Sequence, residues 1–210
     1  MVDTIIKILT PATSQELLTL AELKTMLGIQ TTDTSQDAQL QLYIDEVSDW
    51  IATHCHRTFG YTEVRETIRC LQPWRFYTSH WPVLETEIES VESPRGEVID
   101  PSLYEVEEQS GKIEFFNDRS EPIVVTYWGG YDLPTNTPPA LKMVAIMLIR
   151  EARNYAMRQA VAGIRSISHK EARVMYFDPA AALGRGPATP FGAITEAIQG
   201  LLIDYMRIYV

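Results

Sequence analysis

The spacing of apolar residues predicts helices in the first quarter of the chain. Over residues 36–56, apolar side chains recur every three or four positions, which predicts a helix with one apolar stripe. A shorter helix precedes it: Thr19 and Glu22 have the spacing of a capping box, and Gly28 ends the apolar pattern. Residues 1–13 are predicted to form an extended arm that is anchored by its own isoleucines and leucine.

The period then shortens to two, which predicts β-strands. Between residues 63 and 128, β-branched and aromatic residues alternate with polar ones and are interrupted by proline and glycine. The predicted strands are 63–71, 86–91, 104–106, 112–115 and 123–128. We interpret residues 63–130 as a small, mostly antiparallel sheet inserted between helices.

Helical spacing returns after the sheet. It predicts a third helix over 139–162, followed by a weakly alternating segment, 163–177, that could form a hairpin. Residues 180–190 are rich in Ala, Gly and Pro and are expected to form a flexible linker. A last helix, beginning at Thr189-Pro190, carries an apolar stripe to the end of the sequence.

The predicted fold class is therefore α+β. A helical core of three to four helices is built from residues 14–59 and 137–162, with the antiparallel insert at 63–130. Residues 1–179 form one domain, and residues 180–210 form the linker and the C-terminal helix.

Composition places the chain among ordinary globular proteins. It has 210 residues, of which 45% are hydrophobic and 22% charged, enough to bury a substantial core. The longest apolar run, residues 143–149, is far shorter than the roughly 20 residues of a membrane span. Two cysteines, Cys55 and Cys70, are too few for a disulfide framework, and no signal peptide is recognisable, so we expect an intracellular product.

The net charge of −10 is unevenly distributed. Residues 85–121 contain three basic and twelve acidic side chains, giving 3 − 12 = −9, whereas residues 142–185 contain eight basic and three acidic ones, giving 8 − 3 = +5. This balance disfavours a protein that grips DNA by neutralising phosphates. The acidic segment is either a solvated face or one half of a contact between partners of opposite charge.

One cluster in the sequence invites a chemical interpretation. His54, Cys55 and His56, with Cys70 and His80 downstream, could offer metal ligands, and Cys55 could act as a thiol nucleophile with a neighbouring histidine as base. Adjacent residues at a helix end point about 100° apart, however, so the three cannot face one ion without unwinding. We predict no catalytic, cofactor-binding or metal-binding residue, and keep a small enzyme or metal-binding domain at the Cys55/His56 corner as the alternative function.

Short motifs mark the boundaries of the predicted elements. They are Ile8-Leu9-Thr10-Pro11-Ala12; Thr19-Leu20-Ala21-Glu22-Leu23-Lys24 with Leu27-Gly28-Ile29; His54-Cys55-His56-Arg57-Thr58-Phe59; Trp81-Pro82-Val83; and Gly163-Ile164-Arg165-Ser166 with Val174-Met175-Tyr176. In this order they resemble the head–tail connector (adaptor, or head-completion) proteins of tailed bacteriophages and gene transfer agents. His56 departs from that pattern, because a glycine is usual there.

The resemblance implies a structural virion protein and no enzyme. Members form a homo-oligomeric ring of about twelve subunits under the portal protein and join it to the stopper or tail-completion protein. Duplex DNA passes through the channel without specific binding, and no membrane is involved. The implied location is the head–tail interface of the virion, and the host cytoplasm during assembly.

The C-terminal helix is the predicted partner-binding element. Its apolar face and a basic residue near its end are expected to contact the portal or a neighbouring subunit; the residues are Ile194, Ile198, Leu201, Leu202, Tyr205 and Arg207. Packing of this helix on its own subunit is the alternative that the sequence leaves open.

Overall fold

Four helices and nine strands occur in the part of the chain that the computed structural model describes, residues 3–69, 75–117, 122–160, 166–169, 172–175 and 196–207. The helices are α1 Leu20–Leu27, α2 Asp37–Cys55, α3 Pro139–Ala160 and α4 Glu196–Leu202. The strands are β1 Asp3–Thr10, β2 Thr62–Arg69, β3 Arg75–Tyr77, β4 Ile88–Glu92, β5 Tyr104–Glu107, β6 Lys112–Phe115, β7 Ile123–Gly129, β8 Ser166–His169 and β9 Ala172–Met175. The predicted α+β class is confirmed.

Local sequence signals set the ends of the first two helices. The Glu22 amide donates to the Thr19 hydroxyl, and the Thr19 amide donates to the Glu22 carboxylate at 2.8 Å, which completes the predicted capping box. Gly28 ends α1 in the left-handed conformation, with φ of 71°. His56 ends α2 in the same conformation, with φ of 54°, although it has a side chain.

The strands form two main sheets, where a single small sheet was predicted. Their orders are β1-β2-β7-β4 and β3-β6-β5, and every pairing within them is antiparallel. Strand β1 is the predicted arm, now the edge of the four-stranded sheet, so the sheet draws a strand from outside residues 63–130. β8 and β9 form a separate antiparallel hairpin.

Buried apolar residues form two clusters. We call the first the helical core, because α1, α2, α3 and α4 supply most of its side chains; it includes Leu23, Ile44, Ile51, Leu148 and Leu202. We call the second the sheet core, because it lies between the two main sheets; it includes Val64, Phe76, Ile113, Val125 and Tyr127. The connection from α2 to β2 and the end of β7 join the two cores.

Some predicted features fall outside the described residues. These are the linker at 180–190 and the first turn predicted for the last helix. α4 is described from Glu196, and a 3-10 turn, Ile203–Tyr205, continues it.

Candidate docking surfaces

The C-terminal helix lies on the helical core of its own chain. Ile198 and Leu202 are buried there, while Leu201 and Tyr205 are half-buried against the same cluster. Just beyond the helix, the Arg207 amide donates to the Cys55 carbonyl at 2.9 Å, which ties this end of the chain to the end of α2.

This placement bears on the predicted partner-binding residues. Because Ile198 and Leu202 are buried, they could contact a partner only if α4 moved away from the helical core. Ile203, which is 62% exposed, already faces solvent. Ile194 lies outside the described residues. Binding of the portal or a neighbouring subunit by this segment stays a prediction.

The Cys55/His56 corner lacks the geometry of a reactive site. Cys55 is fully buried, and burial raises the pKa of its thiol to about 11, so the thiol is protonated at neutral pH. The His54 ring stacks on Trp50, with centroids 5.0 Å apart. Within the described ranges, no three His, Cys, Asp or Glu side chains are grouped closely enough to hold a metal ion. Nothing in this arrangement favours the enzyme or metal-binding alternative.

Arg57, two residues further on, joins the two cores. Its guanidinium lies 3.6 Å from the Trp81 ring centroid and 4.7 Å from that of Phe59, and it donates to the Trp81 carbonyl. Burial lowers the pKa of Arg57 to about 10, which still leaves it charged at neutral pH. A buried cation therefore holds the loop before β4 against the end of α2.

A second buried polar group lies within the sheet. The Glu66 carboxylate accepts hydrogen bonds from the Tyr127 hydroxyl at 2.9 Å and the Ser79 amide at 2.9 Å, while the Tyr127 hydroxyl accepts from the His80 amide at 3.1 Å. Burial raises the pKa of Glu66. Burial, together with the charges of Arg57 and Arg207, lowers the pKa of His80 to about 4, so its ring is neutral at neutral pH.

Two glycines at the end of β7, Gly129 and Gly130, allow close backbone contacts where the helical core meets the sheet core. A Cβ on Gly129 would lie 2.5 Å from the His80 carbonyl oxygen, and one on Gly130 would lie 2.5 Å from the Gly60 carbonyl oxygen. Gly130 also has φ of 108°, a conformation that side-chain-bearing residues rarely adopt. The end of β7 thus passes the α2–β2 connection at a distance that only glycine permits.

Charge is displayed differently by the sheets and by α3. Glu105, Glu107 and Glu108 are exposed on and beside β5. The basic side chains described on α3 contact their own chain: Lys142 pairs with Glu22 at 2.6 Å, and Arg150 donates to the Met26 carbonyl. The acidic surface faces solvent, whereas these cations brace α3 against the helices before it.

Strand β1 corrects one expectation from the sequence. Its isoleucines and leucine were expected to anchor the arm, yet Ile5 and Ile8 are 54% and 56% exposed, and Ile6 and Leu9 are 40% and 41% exposed. The strand is anchored instead by its backbone pairing with β2. The exposed apolar side chains form a surface of their own at the sheet edge.

The sequence assigned no role to Arg57 or Glu66, and it indicated His80 only as a possible metal ligand. A buried charge can be identified only from the residues that surround it in the fold, and those residues come from distant parts of the chain. For Arg57, the signal that the sequence offered was its place in the His54–Phe59 motif, which carried the family resemblance. No helix in the described ranges is long and apolar enough to cross a membrane.

Comparison with known protein families gives one match. Residues 17–79 match the family described as Phage gp6-like head-tail connector protein. The match covers α1, α2, β2 and β3, so the resemblance seen in the sequence is confirmed there. No curated protein matches the chain.

Solved structures match over nearly the whole chain. They include a chain from the neck of an empty GTA particle computed with C6 symmetry, which is 14% identical with a TM-score of 0.55, and a chain from the virion of a native gene transfer agent (GTA) particle, 13% identical with a TM-score of 0.55. A third, from the neck of a native GTA particle computed with C12 symmetry, is 12% identical with a TM-score of 0.53. Each match covers 98% of this chain and 97% of the other. At these identities they establish a shared fold.

Proposed function

We propose that this protein is a structural head–tail connector, which forms a ring under the portal and joins a DNA-filled head to the tail or stopper. The observation that carries this proposal is the likeness over nearly the whole chain to chains from GTA particles, two of them from the neck. The connector family match over residues 17–79 supports it independently, because it comes from sequence.

The ring is part of the proposal. The neck structures were computed with C6 and C12 symmetry, which fits a ring of about twelve copies. A ring subunit needs two unlike faces for its neighbours and two more for the layers above and below it. This chain offers an exposed apolar edge at β1 and an acidic sheet surface as distinct candidates.

The acidic surface suits a DNA conduit. The net charge of −10 and the glutamates exposed along β5 disfavour a surface that grips phosphates through clustered cations. Repulsion between an acidic wall and duplex DNA would keep the DNA mobile during exit. The protein is accordingly expected to show no tight duplex binding at physiological salt.

The C-terminal segment is the proposed contact to the portal or a neighbouring subunit. Ile198 and Leu202 would anchor α4 on its own core, leaving Leu201, Tyr205 and Arg207 at the boundary between the subunit and a partner. Ile194, which the sequence pattern assigns to the same apolar stripe, is proposed to extend this contact.

Deleting the gene in the producing cell tests the function. We expect DNA-packaging heads that fail to acquire tails, and restoration of tails by a plasmid-borne copy, both scored by electron microscopy. Gold-labelled antibody against an epitope-tagged chain should mark the neck of wild-type particles. Complete tailed particles from the deletion strain would contradict the proposal.

A further inference from the structure

The two edges of the four-stranded sheet differ in how they are protected. At one edge, β1 pairs only with β2, and in the described part of the chain no backbone hydrogen bond joins residues 3–10 to anything beyond that pairing. Natural proteins usually protect such an edge with charge, proline or a covering segment. Here, Ile5, Ile6, Ile8 and Leu9 are all at least 40% exposed, and Lys7 is the charged side chain among them.

The opposite edge, at β4, carries a short additional segment. The Ile99 amide donates to the Val91 carbonyl and the Ser93 amide donates to the Glu97 carbonyl, both at 2.8 Å, so residues 97–99 pair antiparallel with β4. In this pattern, the amide and carbonyl of the central residue, Val98, point away from β4. Val98 is 71% exposed, and Glu97 beside it is exposed as well.

We propose that the edge of β1 docks against residues 97–99 of a second copy, joining the four-stranded sheets of neighbouring subunits edge to edge. This inference rests on the ring proposed above and names the surfaces that build it. Backbone groups on both sides gain partners, and the exposed isoleucines cover Val98. Lys7 and Glu97 supply opposite charges, although Arg95 in the adjacent turn reduces the acidity of that edge.

The contact has the symmetry that a ring requires. It uses two different surfaces of one subunit, so each copy docks its β1 edge on the neighbour at one side and receives the β1 edge of the other neighbour on its 97–99 segment. Repetition of such a head-to-tail contact closes into a ring when the rotation between copies permits. The segment at 97–99 offers only a few backbone bonds, so the contact should form where a portal concentrates the copies rather than in dilute solution.

Cysteine cross-linking in assembled particles tests this arrangement. Cys70 is replaced by Ser, and Val98→Cys is combined in turn with Ile6→Cys, Lys7→Cys or Ile8→Cys, so that several strand registers are sampled. A disulfide requires Cα atoms about 4.4–6.8 Å apart, which adjacent strands provide. At least one pair should give a ladder of covalent oligomers on a non-reducing gel after oxidation of purified particles.

Controls distinguish a failure of the proposed contact from a failure of the proposed connector function. Val98→Cys alone, or with Leu42→Cys on the exposed face of α2, should give no ladder beyond the single disulfide dimer. Absence of the wild-type chain from purified particles would overturn the proposed function together with this inference. Particles that contain the paired variants yet yield no ladder would overturn this inference alone.

A charge exchange gives a second route that does not depend on cross-linking. Lys7→Glu and Glu97→Lys are each expected to lower the amount of this chain per particle severalfold, and the double variant should restore it. Both side chains are exposed, so folding is preserved, as thermal unfolding would verify. Failure of the double variant to restore incorporation would also overturn the proposed contact.

Discussion

The helical core and the sheet core draw their buried residues from sequence spans of very different length. The buried residues of the sheet core fall between Val64 and Tyr127, whereas those of the helical core run from Leu17 to Leu202. Among the described residues, the sheet core is therefore built within one continuous region, while the helical core depends on a helix that comes long after its partners in sequence. The C-terminal helix α4, which the sequence suggested could leave its own subunit, is therefore part of the helical core.

The polar interiors of the two cores differ as well. Glu66 is buried in the sheet with His80 in the loop beside it, and Arg57 is buried where the sheet meets the helices. On the helical side, the buried Ser48 accepts a hydrogen bond from the Leu17 amide at 3.1 Å, and the buried ammonium of Lys24 pairs with the Asp37 carboxylate. We expect the sheet and its junction to respond to pH, and the helical core to respond to the loss of apolar volume.

The largest expected effect comes from removing apolar volume from one core at a time. Leu202→Ala in the helical core and Ile113→Ala in the sheet core should each lower the free energy of unfolding by about 2–5 kcal/mol, since both side chains are fully buried. Chemical denaturation measures the loss. Hydrogen exchange should show faster amide exchange in α2 and α3 for the first variant and in β2 and β7 for the second.

Ile203→Ala is the matched control for Leu202→Ala, because Ile203 is the next residue and is mostly exposed. It should change the free energy of unfolding by less than about 0.5 kcal/mol. If Leu202→Ala proved equally harmless while tail attachment was lost, α4 would be a partner-binding element rather than part of the helical core.

The junction between the cores gives the next largest effect. Gly130→Ala combines an unfavourable φ with a contact of 2.5 Å to the Gly60 carbonyl oxygen, and should lower the free energy of unfolding by about 3 kcal/mol. Gly28→Ala, at φ of 71° with open space around it, should cost only about 1 kcal/mol. Equal losses, measured by urea denaturation, would mean that the close approach at Gly130 is relieved by movement of the backbone.

Acid should weaken the protein through His80. Its pKa is about 4 in the folded protein and about 6.5 when unfolded, so between these values the unfolded chain binds a proton that the folded one does not. The free energy of unfolding should therefore fall by up to roughly 3 kcal/mol as the pH drops from 7 to 4. Burial raises the pKa of Glu66, so the contribution of Glu66 has the opposite sign.

His80→Gln isolates this contribution, since glutamine does not titrate. Its unfolding free energy should fall less steeply than that of the wild type between pH 6.5 and 4. Parallel pH profiles for the two proteins would show that the His80 ring reaches solvent in the folded state.

The smallest expected effect is a gain in stability. His56→Gly relieves a left-handed backbone at the end of α2 and should raise the free energy of unfolding by about 0.5–1 kcal/mol. His56→Ala is its control, because alanine removes the imidazole but keeps the unfavourable φ. A similar gain for both variants would point to the side chain rather than to the backbone.

Local signals accounted for the elements that could be predicted from sequence. The capping box at Thr19 and Glu22 and the stop at Gly28 depend on residues a few positions apart, and each was confirmed. The division into two sheets was not foreseen, because β3 is only three residues long and the pairing of β1 with β2 joins residues about 60 positions apart. Strand pairing over such distances leaves no periodic trace in the sequence.

The candidate surfaces were predicted less well for the same reason. The apolar stripe of the last helix was visible in the sequence, but the same pattern fits a partner's groove and the chain's own core. In β1, alternation and apolar character suggested anchoring, and only the fold revealed that the strand lies at an edge with Ile5 and Ile8 facing solvent. Exposure depends on what the rest of the chain covers.

The late position of Leu202 in the sequence has a consequence for biosynthesis. The buried residues described for the sheet core have all left the ribosome once Tyr127 has, but the helical core must wait for Leu202, 75 residues later by the numbering. At elongation rates of about 5–20 residues per second, the delay is roughly 4–15 seconds. During that interval the nascent chain exposes the apolar surface of α3 that α4 later covers, so we expect chaperones that bind exposed apolar segments to recognise it.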